Sequence, residues 1–259
     1  MTLLALPPEL LAFLGAGAWH FAIVFLRVAA MSSVLPAFGE QYVPMRVKLA
    51  IAIAFTFVVA PALPQIGAPD HVVLFGRLVV SEAIIGLALG MGVRLFIMGL
   101  QTAGTIAAQS TSLSQVLGGI GAEAMPAIGA VLMVGGLALA VMMGLHVRIA
   151  EFLIYSYQFF PVGEFPAASM FSKWGVHRIS QSFYMAFTLA APFLVTAVIY
   201  NLTLGVINRA MPQLMVFFVG APVITLGGML ILMVGSPLIL DVWMRALMAF
   251  FMNPGGGAQ

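Results

Sequence analysis

The sequence predicts an all-α integral membrane protein, on three observations. First, 63% of the 259 residues are hydrophobic and only 7% are Asp, Glu, Lys or Arg, where a soluble domain carries about a quarter charged. Ten basic and eight acidic side chains cannot cover the outside of a soluble protein of this length, and lipid replaces the missing polar surface. Second, the apolar residues fall in runs long enough to cross a hydrocarbon layer of about 30 Å, which takes about 20 helical residues. Third, the runs do not alternate with period two, as the strands of a transmembrane barrel would. Backbone in lipid must satisfy its own hydrogen bonds, so each run is expected to be helical.

Six segments follow in order. Residues 10–35 are interrupted by one charge, Arg27. Residues 47–63 are apolar apart from Lys48 and Thr56. Residues 72–100 contain Arg77, Glu82 and Arg94. Residues 124–160 and 214–251 each exceed one ordinary span and must tilt, kink or project. The last holds Pro222 and Pro237 with Gly227, Gly228 and Gly235 between them, so a hairpin of two half-length helices is an alternative there. Residues 183–207 hold Pro192, where a kink is expected. The first run has no basic region before it and is too long for a signal peptide, so it is expected to remain in the mature protein.

Between the segments, 36–46, 64–71 and 208–213 are short connections that make neighbouring helices antiparallel. Residues 101–123 and 161–181 are longer. The first reads QTAGTIAAQSTSLSQVLGGIGAE. It is read as a polar loop, either exposed or closing a cavity inside an assembly, because non-helical chain at membrane depth is tolerated only against protein or water. The residues that give it polarity and freedom are Gln109, Ser110, Ser112, Ser114, Gly118, Gly119 and Gly121. Lys173, Arg178 and Arg77 would fall on one side of the membrane and Arg46, Lys48, Arg94 and Arg209 on the other, a difference too small to fix orientation.

Several chemistries find no support. There is no cysteine, hence no disulfide and no thiolate ligand or nucleophile. The four histidines are scattered, and neither a zinc-helix motif, a phosphate loop nor a dinucleotide fingerprint stands in a credible setting. No catalytic, cofactor-binding or metal-binding residue is expected. A net charge of +2 without a basic, aromatic-laced patch gives no reason to expect nucleic acid.

What remains is helix packing. Gly86 and Gly90 lie one turn apart, a turn beyond Glu82, and would let another backbone approach. Arg27 and Glu82 are stranded inside apolar runs and should face protein, a cavity or each other. Arg94 is too far along a straight helix to pair with Glu82. Arg148 and Glu151 are spaced for ordinary intrahelical support. Near the end of the fifth run, Asn201, Gly205, Asn208 and Pro212 recur at helical spacing, joined by Arg209 and Gln213. They form a polar edge suited to a neighbouring subunit.

That segment, NLTLGVINRAMPQLMVFFVGAP, resembles the signature of the FliR family, the R subunit of the flagellar and type III secretion export gate. The likeness extends to 25–61 through Arg27, Pro36, Phe38, Gly39, Val43, Pro44, Arg46 and Pro61. It continues at 86–109 through Gly86, Gly90, Gly104 and Gln109, and at 142–163 through His146, Ser156, Pro161 and Gly163. Met143–Gly144–Leu145, and the Ser/Gly-rich run after Gln109, depart from the pattern. The resemblance implies one membrane domain over 1–259, with 1–182 similar to the P subunit and 183–259 to the Q subunit. It implies assembly with the P, Q and B subunits and the large export-gate protein, in the bacterial inner membrane at the flagellar basal body. Unfolded flagellar proteins would pass through, and 101–123 would help close the channel. A virulence injectisome subunit and a proton-coupled secondary transporter using Glu82, Arg94 and Asn201 are the alternatives.

Overall fold

The computed structural model describes residues 8–68, 71–112, 127–211 and 216–253. Seven α-helices follow in order: α1 (Pro8–Val34), α2 (Met45–Val59), α3 (Val72–Ser112), α4 (Ala127–Met142), α5 (Leu145–Phe159), α6 (Ala168–Ala210) and α7 (Val216–Met252), with a 3-10 turn at Ala60–Ala62. No strand occurs among the described residues. Five stretches are long and apolar enough to cross a membrane: Gly15–Val34, Met45–Ala62, Val72–Ser110, Ala168–Ala210 and Pro222–Met252. The broken pair α4 and α5 makes a sixth if it is counted as one span. The chain is an all-α, multi-span membrane protein.

Proline and glycine set most of the boundaries. Pro36 follows the end of α1, Pro44 precedes α2, and Pro161 follows Phe160, the residue that caps α5 with φ −128°. A proline disfavours helical geometry in the residue before it. The run 124–160 breaks at Gly144, whose φ of 80° is left-handed and suits glycine alone at no steric cost.

Three expectations change. The stretch 101–123 is helical as far as Ser112, so Gln109, Ser110 and Ser112 ride on the last turns of α3 and not on a loop. The reason is local: this stretch carries no proline, and its hydroxyls bond back to their own helix. Thr105 Oγ1 donates to Gln101 O at 3.0 Å and Ser110 Oγ to Ala107 O at 2.7 Å, so polar side chains impose no exit from helix. Ser114, Gly118, Gly119 and Gly121 lie outside the described residues, as do Pro212 and Gln213. The connection at 161–181 shortens, because α6 starts at Ala168. The final run is one helix containing both Pro222 and Pro237, not a hairpin; membrane helices tolerate proline where neighbours re-satisfy the freed carbonyl. The break of 124–160 into α4 and α5, bent by 73°, is a kink of the kind its length called for.

The chain divides into two compact units. The first takes the described residues of Met1–Arg94, Gly144–Gly175 and Phe251–Gln259; the second takes Leu95–Met143 and Val176–Phe250. In the first, three stripes at helical spacing make the core. They are Ile23, Val28 and Met31 on α1 with Leu35 just past its end, Leu78, Ile85, Leu89 and Val93 on α3, and Leu145, Ile149, Phe152 and Leu153 on α5. In the second, α3 and α4 meet backbone to backbone. A Cβ on Gly104 would stand 2.2 Å from the Gly129 Cα, a contact that only glycine permits. Gly136 lies against Leu100 and the Trp243 ring, and the Trp243 indole N–H donates to Phe96 O at 2.9 Å.

Candidate functional site

Two groups of polar residues stand out, one closed and one open. The closed group lies in the first unit. Arg27 occupies the buried stripe of α1, one turn after Ile23 and one before Met31; Glu82 occupies the same kind of position on α3. Each is 0% exposed. The Arg27 Nε donates to Glu82 Oε2 at 2.7 Å and Nη2 to Oε1 at 3.1 Å, a bidentate pair. Nη1 donates to Ser156 Oγ at 3.1 Å and Nη2 also to Phe160 O at 2.9 Å. The Ser156 hydroxyl in turn donates to Leu153 O at 2.7 Å. Glu82 Oε1 takes a further hydrogen bond from the Gly163 N–H at 3.1 Å. The Tyr157 ring lies under the guanidinium, its centroid 3.7 Å from Arg27 Cζ, within cation–π range.

Each member of this group depends on close backbone approach. A Cβ on Gly86 would fall 2.4 Å from Arg27 O, and one on Gly90 2.7 Å from Met31 O. The two glycines bring α3 against α1 on either side of Met31. Gly163 turns with φ 75° and a Cβ there would meet Leu78 at 2.7 Å, so its N–H points at the carboxylate. Four N–H donors of Arg27 are used, and both carboxylate oxygens of Glu82 are engaged. The carboxylate is thus sealed inside the unit and committed to α1 and the turn after α5. Arg94 serves elsewhere: it donates to Val34 O at 3.3 Å and stands 3.8 Å from Glu40, capping the end of α1.

The open group lies in the second unit, on the last turns of α6. Asn201, Gly205, Asn208 and Arg209 are all exposed. None of the three polar side chains bonds to a described residue, and no described atom would lie within 4 Å of a Cβ on Gly205. Arg148 and Glu151, by contrast, form the expected intrahelical pair at 3.0 Å on the surface of α5.

The sequence supplied Arg27, Glu82, Gly86 and Gly90 but not the way they join. Ser156, Phe160 O, Gly163 N–H and Tyr157 were missed as partners of the ion pair. Ser156 had one readable signal: it lies at helical spacing from Ile149 and Phe152 in α5. Bonds to backbone atoms leave no mark in a sequence.

No group of three or more His, Asp or Glu that could hold a metal ion occurs among the described residues. Comparison with known proteins then decides the family. The profile of "Bacterial export proteins, family 1" matches residues 18–250. The chain belongs to that family. It is 32% identical to the flagellar biosynthetic protein FliR of Caulobacter vibrioides over 226 residues, covering 86% of this chain and 90% of that one. It is 30% identical to the FliR protein of Escherichia coli, covering 83% of each. The FliR protein of Bacillus subtilis is 28% identical, with 78% of this chain and 80% of that one covered. Both the buried ion pair and the open stripe of this bacterial export protein fall inside the matched region.

Proposed function

We propose that this membrane protein is a structural subunit of the flagellar type III protein export gate, in the inner membrane at the basal body. There it helps form and close the channel for unfolded flagellar proteins. The observation that carries the reading is the open stripe of α6. A helix that presents Asn201, Asn208 and Arg209 to the outside would place unpaired polar groups against lipid, at a cost of several kcal/mol each if they lay in the hydrocarbon. A neighbouring subunit removes that cost, and Gly205 leaves room for its backbone.

Helix length supports the same reading. At 1.5 Å per residue, the 41 residues of α3 and the 43 of α6 reach about 60 Å and 65 Å, twice the hydrocarbon thickness. Their surplus apolar surface needs protein cover outside the bilayer. On this reading the partners are P, Q and B subunits and the large export-gate protein, with residues 1–182 taking the part of a P-like region and 183–259 that of a Q-like region. Part of the closing role falls to 101–123, whose first part is the polar end of α3.

Co-purification with the products of neighbouring genes tests the proposal. A stable complex containing several membrane subunits is expected. Recovery of the chain alone, as a monomer that moves a small solute into liposomes, would overturn it.

A further inference from the structure

A groove between α4 and α7, within the second unit, is unused by anything above. It encloses about 510 Å³ and is lined by Gly135, Leu139, Met142, Pro237, Asp241 and Met244 among others. We propose that it is a phospholipid site that selects a phosphoethanolamine headgroup, with one acyl chain in the groove.

Three observations converge. The first is the wall. Asp241 is its one charged lining residue, and methionine side chains adapt to a flexible chain better than branched residues do. The second is the mouth. Asp241 pairs with Arg245 one turn on, and the two side chains remain 52% and 73% exposed. A carboxylate beside a guanidinium complements a headgroup carrying an ammonium beside a phosphate. An anionic headgroup without an amine would meet Asp241 with like charge. The third is depth. From Val216 to Leu240, α7 carries no charge, a length of about 37 Å at 1.5 Å per residue. That exceeds the hydrocarbon layer of about 30 Å. An exposed ion pair at the end of such a run belongs at headgroup level, which sets the acyl chain beside the groove.

Size favours lipid over a partner helix. From Gly135 to Met142 the groove spans about 10 Å along α4, room for part of one acyl chain but for only two turns of a helix about 10 Å across.

Native mass spectrometry of the full chain, with phosphatidylethanolamine, phosphatidylglycerol or phosphatidylcholine added, tests the site. One tightly held phosphatidylethanolamine is expected, in preference to the other two. D241N and R245Q should each weaken it about fivefold, the size expected of one charge near a membrane surface. A138F fills the groove from an exposed position and should abolish retention, while L238F, exposed on α7 outside the lining, should not. Equal retention by A138F, or phosphatidylglycerol bound as well as phosphatidylethanolamine, would overturn the proposal. So would a photo-crosslinker at Met142, in the co-purified assembly, that captures a protein chain and no lipid.

Discussion

The Arg27 guanidinium closes on the Glu82 carboxylate through two hydrogen bonds, 2.7 and 3.1 Å long, across 55 residues of sequence. Neither side chain is exposed at all. Because the pair also engages Ser156, Phe160 O and the Gly163 N–H, it joins α1, α3 and the end of α5 at one point. Removing one partner leaves the other charged and buried. R27A or E82A should therefore destabilise the protein by about 3–5 kcal/mol, whereas R27M combined with E82L should recover a large part of that loss. Resistance to denaturant in detergent measures both. A double variant no better than either single one would show that the charges contribute more than mutual compensation.

Gly86 and Gly76 lie on one helix and make a matched pair of sites. A Cβ at Gly86 would press into Arg27 O, but at Gly76 it would meet no described atom within 4 Å. G86A should cost about 1–3 kcal/mol through overpacking. G76A should be neutral, or stabilising by up to about 1 kcal/mol from helix propensity. Thermal unfolding of the two variants side by side decides the matter; equal effects would remove the close-approach argument.

The contrast between Gly104 and Gly205 separates folding from assembly. G104L drives a side chain into the Gly129 backbone and should abolish the folded protein. At Gly205 a Cβ meets no described atom of its own chain within 4 Å, so G205L starts in open space. It should leave the monomer in the membrane at normal level but reduce complex yield on native gels at least tenfold. N201L should reduce yield less, since polar pairs within membranes average about 0.6 kcal/mol. Normal complex formation by G205L would sink the partner-facing role of this stripe.

Deleting 118–121 addresses the channel. Those residues join α3 to α4, whose backbones touch at Gly104 and Gly129, so the hairpin should survive a shorter connection. The expected result is an assembled complex with increased ion leak at rest or altered export. Normal export without leak would assign the segment to a simple linker.

Much of the fold was legible because lipid simplifies the code. Uncharged runs announced the spans, and Pro36, Pro44 and Pro161 announced boundaries. The stretch 101–112 misleads because Gln, Ser and Thr are common in loops, yet hydroxyls bonded to their own helix are compatible with it. Val216–Met252 admits a hairpin on sequence because Pro222 and Pro237 are breakers in water. The buried pair is legible only in part: stranded charges must find partners, but the sequence does not say which helices meet to bring Arg27 to Glu82. The open stripe was legible as a periodic pattern, since period needs no tertiary knowledge.

One habit of this chain changes how its composition should be weighed. Thr56, Thr105, Thr188, Thr196 and Thr203 each donate to the carbonyl four residues back, and Ser81, Ser110 and Ser156 to the carbonyl three back. These bonds are made inside the helix, so the exposed ones, Thr188, Thr196 and Thr203, present little more than a methyl to their surroundings. The hydrophobic share read from residue names thus understates how oily the spans are. Asn201 and Asn208 make no such bond to a described residue, so their exposed amides advertise a partner where eight hydroxyls stay silent.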